Sequence, residues 1–432
     1  MSSHLIGSLA TTEEMAQIFS DGSILQALLA FEVALARAQS RLGMIPAAAA
    51  DTIEQAATVD GFDAAAIARD ARQSASIVIP FVKVLTARAG DAARYVHWGA
   101  TSQDALDTAM VLLLRRAQKI LQRDHGWLEE ALRDLSASHA GTVMLARTFL
   151  QPAPPITFGY KVAGWYGALR RSWPFGESLP LQFGGASGTL ASYGKDGPAL
   201  ARELARELEL PLSAAPWHSH RDRLALTVAR CGIYTASLGK LARDISLLMQ
   251  QEVGEVAEAG GESSAMPNKQ NPSGCAIVLA AAARIPGLVA AFLAGMVQEH
   301  ERGVGNWQAE WATVSATVEA MGSALAAMVV TIEGLTVYPD RMRANLEATH
   351  GVIFAEKAGM LLRSKLGREA AHSLLADASR AAVAQARPLA EILAASGVLS
   401  AEQLADLERP EDYLGANEEF RKRLLEEHNA AG

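Results

Sequence analysis

A helical pattern without a proline runs through residues 106–135 and constrains the fold more than any other feature. Its apolar residues recur three or four positions apart, at Leu106, Met110, Leu113, Ala117, Ile120, Leu121, Leu128, Leu132 and Leu135. This spacing places them on one face of an α-helix. Residues 221–259, the stretch after Pro272 with a bend at Pro286, and residues 307–336 are also predicted to be long helices. Several helices of this length predict an extended bundle.

Composition favours the same fold class. Half of the 432 residues are hydrophobic, yet only 6% are aromatic, a mixture that suits close-packed helices better than sheets. We predict an all-α chain with an N-terminal helical domain (residues 1–103), a central long-helix bundle domain (residues 104–345) and a C-terminal helical domain (residues 346–432). Small residues on the long helices predict that the bundle continues into partner subunits, because one chain would leave too much apolar surface exposed.

The charge of the chain excludes some classes of partner. Its net charge is −8, so the chain as a whole has no attraction for nucleic acid or anionic lipid. The N-terminal segment lacks the features of a signal peptide, and the most apolar window, residues 275–295, is interpreted as a buried helix because Arg284 and Pro286 interrupt it. We therefore expect a cytoplasmic protein that binds neither nucleic acid nor a membrane. Without a HExxH motif or a cysteine cluster, we expect no metal.

Polar residues concentrate in three irregular segments between the long helices, residues 147–159, 181–197 and 258–274. In the third segment, GGESSAMPNKQNP contains the hydroxyl of Ser263 and two donors, Lys269 and Asn271. These groups suit an anionic carboxylate ligand. Composition alone is equally compatible with an ordinary loop.

The order of residues in these segments points further. The motif SSxMPxKxNP resembles the loop of the fumarase/aspartase superfamily, whose members catalyse β-elimination or its reverse next to a carboxylate. HWGATSQDALDT, from His97, resembles the first conserved region of that superfamily, and RTFLQPAPPITFG resembles the second. The resemblance implies that Ser263 is the catalytic base, that Thr101 and Ser102 bind a substrate carboxylate, and that Gln151 occupies the matching place in the second region. Thr101 or Ser102 would also cap the helix that follows, and the two roles are compatible.

Phe149 departs from the superfamily pattern. In the matching segment RTHxQ, adenylosuccinate and argininosuccinate lyases carry His where this chain has Phe149. An amine leaves poorly unless it is protonated in the transition state, whereas a carboxylate needs no proton to leave. The loss of this acid favours a reaction that expels or adds a carboxylate oxygen, as in opening or closing a lactone.

A closer resemblance agrees with that inference. Between about residues 20 and 375, stretches such as PWHSHRDR and QEHERGVGNWQAEW resemble the bacterial 3-carboxy-cis,cis-muconate cycloisomerases. The resemblance implies a homotetramer whose active sites are shared between subunits. It also implies cofactor-independent interconversion of 3-carboxy-cis,cis-muconate and carboxymuconolactone through an aci-carboxylate intermediate. Four residues depart from this branch and leave the fine specificity open, namely Glu262, Asn268, Asn306 and Gln308.

Histidines and arginines in the matched segments complete the candidate site. We expect His97 to bind substrate and His218 to orient it or transfer the proton, although His218 is equally compatible with a structural role. Arg302 and Arg221 are candidates to pair with the extra substrate carboxylate. Lys269 is expected to act with Ser263, because an ordinary serine is a poor base.

Other readings stay open on the sequence alone. An adenylosuccinate lyase, or another β-elimination lyase of the superfamily, shares most of these motifs. A catalytically inactive structural homologue would also keep the helical scaffold, although Ser263, Lys269 and Asn271 are intact. Also open are syn or anti addition, the lactone regioisomer, the choice between carboxy- and sulfomuconate, the proton-transferring residue, and the subunit that supplies each loop.

Overall fold

Helices make up 69% of the chain, in a computed structural model that describes residues 5–176, 178–261, 266 and 269–427. The helices before the first strand are α1 (Glu13–Ile18), α2 (Asp21–Arg41), α3 (Ala47–Ala56), α4 (Ala64–Ser74), α5 (Val78–Arg88) and α6 (Ser102–Ser138). The next are α7 (Phe158–Ser172), α8 (Gly197–Leu208), α9 (Asp222–Leu248), α10 (Ser273–Gly295) and α11 (Asn306–Glu333). The last are α12 (Pro339–Glu347), α13 (Ala355–Leu366), α14 (Arg368–Gln385), α15 (Leu389–Ala394), α16 (Ala401–Ala405) and α17 (Asn417–Glu426). The all-α prediction is confirmed.

Two small antiparallel sheets lie among the helices. Strands β1 (Val143–Thr148) and β2 (Gln151–Thr157) form a hairpin, and β3 (Val256–Ala257) pairs with β4 (Thr336–Val337). Thr148 pairs with Gln151, so the hairpin turn consists of two residues only, Phe149 and Leu150.

Long helices occur where the periodicity predicts them, with one error. The predicted helix over residues 221–259 ends as α9 at Leu248. Beyond it the chain turns, Gly254 adopts a left-handed φ of 59°, and Val256–Ala257 leaves the helix to pair with β4. A strand pairing formed with distant residues therefore overrides the local helical pattern. Helix α10 continues through Pro286, and the bend expected there stays a prediction.

The chain divides into two compact units. Unit 1 consists of residues 1–125, 172–238 and 277–326, and in it α2 packs against α3 and α8. Unit 2 consists of residues 126–171, 239–276 and 327–432, and its core gathers apolar side chains of the β1–β2 hairpin and the C-terminal helices, among them Leu145, Phe354, Leu362 and Leu393. The three successive domains expected from the sequence stay a prediction.

Helix α10 is unusually exposed for an apolar helix. Among the described helices, α10 and α11 are long and apolar enough to cross a membrane, judged by length and composition only. In α11, 67% of the most apolar window is buried inside the chain, but in α10 only 22% is. The prediction of a buried helix is therefore wrong for α10 in the single chain. Its exposed face contains small and apolar residues of the kind that we expected a partner subunit to cover.

Candidate active site

The N-terminus of α6 carries Thr101 and Ser102, two predicted carboxylate ligands. Helix α6 begins at Ser102, and the first amides of a helix have no partner within it. Asp104 stabilises the start of the helix, because its Oδ2 accepts a hydrogen bond from the backbone amide of Thr101 at 3.1 Å. The Thr101 hydroxyl accepts a hydrogen bond from Arg302 Nη1 at 3.0 Å. Residues predicted from two separate motifs, Thr101 and Arg302, are therefore in direct contact.

Arg302 is held by uncharged acceptors. Its Nε donates to Gln103 Oε1 at 3.1 Å, its Nη1 to Thr101, and its Nη2 to the Gly185 carbonyl at 3.3 Å. A guanidinium has five N–H donors, so two remain available. No carboxylate among the described residues forms an ion pair with Arg302. Its charge is therefore available to grip an anionic ligand, as a guanidinium does with two parallel bonds to a carboxylate.

Arg221 is bound in a different way. It is only 2% exposed, its Nη1 lies 2.7 Å from Asp107 Oδ2, and its Nη2 lies 2.7 Å from Glu310 Oε2. Trp307 Nε1 donates to the other Asp107 oxygen at 2.9 Å. Burial raises the pKa of Glu310 although Arg221 opposes this shift. The expectation that Arg221 pairs with a substrate carboxylate is wrong, because two buried carboxylates of the protein already hold it.

His218 and Asp104 form a buried pair beside the α6 N-terminus. His218 Nε2 lies 2.7 Å from Asp104 Oδ1, and the amides of Gly184 and Gly185 donate to the same carboxylate at 2.9 Å each. The Nε2 atom of His218 faces this carboxylate, so Nδ1 is the ring nitrogen that does not contact Asp104. A Cβ atom at Gly184 would lie 2.8 Å from the His218 ring, so a glycine is needed for this close approach.

His97 is tied to a buried glutamate rather than open to solvent. Its Nδ1 lies 2.6 Å from Glu32 Oε1, and its backbone adopts a left-handed φ of 55°. Burial works against a charged ring, but the charge and hydrogen bond of Glu32, with the charge of Asp104, outweigh it and raise the pKa of His97. The ring is therefore protonated over a wider pH range than an ordinary histidine, and the adjacent Glu32 carboxylate compensates its charge.

Two candidates of the GGESSAMPNKQNP segment, Lys269 and Asn271, are described and belong to unit 2. Ser263 lies outside the described residues, as do Glu262 and Asn268. Lys269 is exposed. The backbone amide of Asn271 donates a hydrogen bond to the backbone carbonyl of Gly261 at 2.8 Å. Gly261 has a φ of 76°, and a Cβ atom there would lie 2.0 Å from the Asn271 carbonyl oxygen, so this crossing of the loop requires glycine. The loop then enters α10, whose first amides donate to the buried carboxylate of Glu258.

Gln151 follows a strained turn in unit 2. Phe149 and Leu150 have left-handed φ values of 47° and 62°, and both side chains are exposed. A turn with two left-handed residues normally contains Asn-Gly or a similar pair. The exposed Gln151 side chain is therefore presented beside two apolar residues in an unfavourable backbone conformation.

Comparison with known proteins identifies the family. A family model described as Lyase matches residues 8–287, and one described as Adenylosuccinate lyase C-terminus matches residues 351–424. The chain belongs to the fumarase/aspartase superfamily. The match to the Lyase model alone covers more than half of the chain and includes residues of both units.

Relatives of this superfamily member align over nearly the whole chain. It is 44% identical to a 3-carboxy-cis,cis-muconate cycloisomerase of Bradyrhizobium diazoefficiens, over 98% of both proteins. The structure of 3-carboxy-cis,cis-muconate lactonizing enzyme from Pseudomonas putida matches with a TM-score of 0.91 and 42% identity, over 98% of both chains. A nitrosuccinate lyase of Streptomyces davaonensis is also 42% identical, over 92% of this chain and 89% of the relative. Relatives at this level of identity therefore include more than one activity.

The predicted site residues of this superfamily member fall into two sets. Unit 1 contains His97, Thr101, Ser102, His218 and Arg302, and hydrogen bonds through Gln103 and Asp104 link Thr101, His218 and Arg302. Unit 2 contains Gln151, Lys269 and Asn271. In the part of the chain that the structure describes, no group of three or more His, Cys, Asp or Glu side chains is placed to hold a metal ion.

Sequence reasoning missed the carboxylates that organise unit 1. Asp104 and Asp107 lie within the motif HWGATSQDALDT, three residues apart, a spacing that places both on one face of α6. The signal in the sequence was the presence of two charged residues on a helix face that is otherwise apolar, which indicates buried carboxylates with partners. Their partners, His218 for Asp104 and Arg221 for Asp107, come from distant parts of the sequence, so no local pattern indicates the pairing.

Proposed function

We propose that this protein is a cofactor-independent 3-carboxy-cis,cis-muconate cycloisomerase of protocatechuate breakdown. The observation that carries the proposal is identity of 40–45% with four relatives of that name, each aligned over at least 94% of this chain. The reaction interconverts 3-carboxy-cis,cis-muconate and a carboxymuconolactone, in the protocatechuate branch of the β-ketoadipate pathway. The geometry of unit 1 supports a polycarboxylate substrate, because Arg302 keeps its charge and lies beside Thr101.

The binding step uses fixed donors. Arg302, Thr101, Ser102 and the free amides at the start of α6 bind one carboxylate, where the positive end of the helix dipole favours an anion. His97 is a further proposed substrate-binding residue, through the ring nitrogen Nε2 that does not face Glu32. Since the whole chain is acidic, these local groups must provide the attraction for the substrate.

The chemical step forms one C–O bond and moves one proton. A substrate carboxylate oxygen adds to the double bond that another carboxylate activates, and the electron pair moves onto that carboxylate as an aci-carboxylate. Protonation at carbon then completes the lactone. Lys269, Asn271 and Gln151 stabilise the added negative charge, which is the main requirement when a weak carbon acid reacts. In the reverse direction Ser263 removes the proton, with Lys269 stabilising its alkoxide.

His218 is the alternative proton carrier. Its Nε2–H is held by buried Asp104, so the ring keeps one orientation and Nδ1 can accept a proton. The same geometry serves a purely structural histidine. Substitution distinguishes the roles, since His218→Gln keeps hydrogen bonding but removes proton transfer at neutral pH.

The presence of Phe149 favours a reaction in which the leaving group needs no proton. A phenylalanine cannot protonate a departing amine, which disfavours adenylosuccinate as the substrate. Nitrite is also a weak base, so Phe149 is equally compatible with expulsion of nitrite, and the nitrosuccinate lyase relative makes this the second candidate function.

The proposed assembly is a cytoplasmic homotetramer with shared active sites. The apolar face of α10, of which most is exposed in the single chain, supports burial against partner copies. We also propose that the three successive domains, with residues 104–345 in the centre, describe each subunit. No nucleic acid or membrane partner is part of the proposal.

An activity assay with three substrates tests the function. Purified protein is expected to remove the ultraviolet absorbance of 3-carboxy-cis,cis-muconate, with release of neither nitrite from nitrosuccinate nor fumarate from adenylosuccinate. Ser263→Ala is expected to lose most of the turnover. Nitrite release without loss of muconate absorbance would replace the first candidate by the second, and no activity in any assay would favour an inactive homologue. Nuclear magnetic resonance of the product in deuterated water identifies the lactone regioisomer and the face of addition.

A further inference from the structure

Gln103 lies between the charged groups of unit 1. Its side chain is 1% exposed, its Nε2 donates to Asp107 Oδ2 at 3.2 Å and to the His218 carbonyl at 2.8 Å, and its Oε1 accepts from Arg302 Nε at 3.1 Å. Carboxylate and carbonyl oxygens only accept hydrogen bonds. The amide nitrogen must therefore face Asp107 and His218, which directs the amide oxygen at Arg302 in one orientation only.

Arg302 is located in a loop that is anchored at two points. The loop spans residues 296–305 between α10 and α11, and within it Gln298 Nε2 donates to Glu310 Oε1 at 2.8 Å. Glu310 is held by Arg221, which also holds Asp107. The two anchors of the loop are the contact of Gln298 with Glu310 and the contact of Arg302 with Gln103. Because Asp107 orients Gln103, both anchors are connected to the buried ion cluster of Asp107, Arg221 and Glu310. The position of the Arg302 guanidinium is thus set by rigid elements and not by the loop alone.

The type of residue at position 103 also decides whether a negative charge of the protein compensates the charge of Arg302. A glutamine offers Arg302 an acceptor without a negative charge. A glutamate of the same size would form an ion pair with Arg302 and compete with a substrate carboxylate. Arg221 illustrates the result of such pairing, because its two carboxylates leave it no role with a ligand.

We infer that Gln103 is a positioning residue that fixes the Arg302 guanidinium while it leaves the positive charge available for a substrate carboxylate. The inference rests on the proposed polycarboxylate site, but it concerns binding and not the identity of the product. In this role Gln103 acts on the substrate through Arg302 and does not itself touch the reacting atoms.

Two substitutions of Gln103 and one matched control test this role. Gln103→Met keeps the size and removes the acceptor. Gln103→Glu keeps the acceptor for Arg302 and adds a charge, and it also loses the donor to Asp107 and to the His218 carbonyl. Gln182→Met is the control, because Gln182 is also fully buried and donates to the same Asp107 oxygen at 3.1 Å, but has no hydrogen bond with Arg302. The readouts are the Kd for tricarballylate by calorimetry, the KM and kcat for 3-carboxy-cis,cis-muconate, and the Tm.

Gln103→Met is expected to raise the Kd and KM about tenfold or more, with kcat changed much less, since one arginine–carboxylate contact is misplaced. Gln182→Met is expected to lower the Tm to a similar extent and to leave the Kd unchanged. For Gln103→Glu, the ratio of its Kd to that of the unchanged protein is expected to rise with increasing pH. Burial beside Asp107 raises the pKa of the introduced carboxyl above its ordinary value of about 4.3, and its ionisation then compensates the charge of Arg302.

Three results would overturn the inference. The first is a Gln103→Met protein with a lower Tm but an unchanged Kd. The second is an equal rise in Kd for Gln182→Met, which would indicate general loosening around Asp107. The third is an unchanged protein that binds no tricarballylate. If Gln103→Met does not fold, the pH dependence of Gln103→Glu decides alone. Failure of muconate turnover with a normal tricarballylate response would reject the proposed function and leave the role of Gln103 standing.

Discussion

Two arginines in the same unit hold different partners, and this contrast predicts different results of substitution. Arg302→Met is expected to reduce kcat/KM at least about tenfold, because a charge-assisted bond to substrate is lost. Its cost in unfolding free energy is expected to be smaller, about 1 kcal/mol, because the buried Gln103 oxygen loses its donor. Arg221→Met leaves Asp107 and Glu310 buried without a counter-charge and is expected to cost about 3 kcal/mol or more of unfolding free energy. Urea unfolding and steady-state kinetics measure the two effects. A catalytic defect in Arg221→Met without loss of stability would contradict this division of roles.

The His97–Glu32 contact predicts a pH-dependent contribution to stability. Burial lowers the pKa of His97, but Glu32 and Asp104 outweigh burial, and the net pKa is raised in the folded state. The folded protein therefore binds this proton more tightly than the unfolded chain. The resulting stabilisation is complete below the ordinary histidine pKa of about 6.5 and is lost as the pH rises through the raised value. His97→Gln should accordingly cost more unfolding free energy near pH 6 than near pH 9, measured in urea.

The difference between the two pH values is the informative quantity in that experiment. Strain from the left-handed backbone at position 97 affects both proteins at both pH values and cancels in the comparison. His372→Gln, at an exposed position of unit 2, serves as the control for the loss of a histidine elsewhere in the chain. An equal cost of His97→Gln at both pH values would reject a charged His97–Glu32 pair.

At the scale of elements, the β1–β2 hairpin combines strain with exposed apolar side chains. Left-handed backbone at two residues that are not glycine costs of order 1 kcal/mol each. Replacement of Phe149-Leu150 by Asn-Gly is therefore expected to raise the unfolding free energy by about 1–2 kcal/mol. We expect the same change to reduce kcat/KM, because such a turn persists where function requires it. Full activity in a stabilised variant would show that the turn has no catalytic role.

The elements also show how far local sequence determines the fold. Helix α6 was predictable because its own apolar spacing and the absence of proline specify it. The end of α9 was not, because β3 pairs with β4 about 80 residues further along the chain. In the same way, the motif around Thr101 indicates an anion site, but the contact with Arg302 depends on how distant segments pack. Motifs therefore predict the chemistry of single segments, and tertiary packing decides which segments meet.

For the whole molecule, the exposed face of α10 and the proposed tetramer raise the question of which copy supplies each residue. Arg302 belongs to unit 1 and Lys269 to unit 2. If one active site takes these residues from different copies, an Arg302→Met chain and a Lys269→Met chain each retain what the other lacks. A mixed tetramer then contains some sites in which both residues are intact, although every chain carries a substitution.

Co-expression of the two variant chains tests this sharing of sites. Each variant alone is expected to be nearly inactive, whereas random mixing is expected to restore about a quarter of the normal activity, because each of the two contributions is intact in half of the cases. Differently tagged chains allow the mixed assembly to be purified, and its mass should be four times the 45.7 kDa of one chain. A mixed tetramer without recovered activity would mean that Arg302 and Lys269 of the same chain serve the same site. Recovery can arise only if they come from different chains, since no single chain then carries both intact residues.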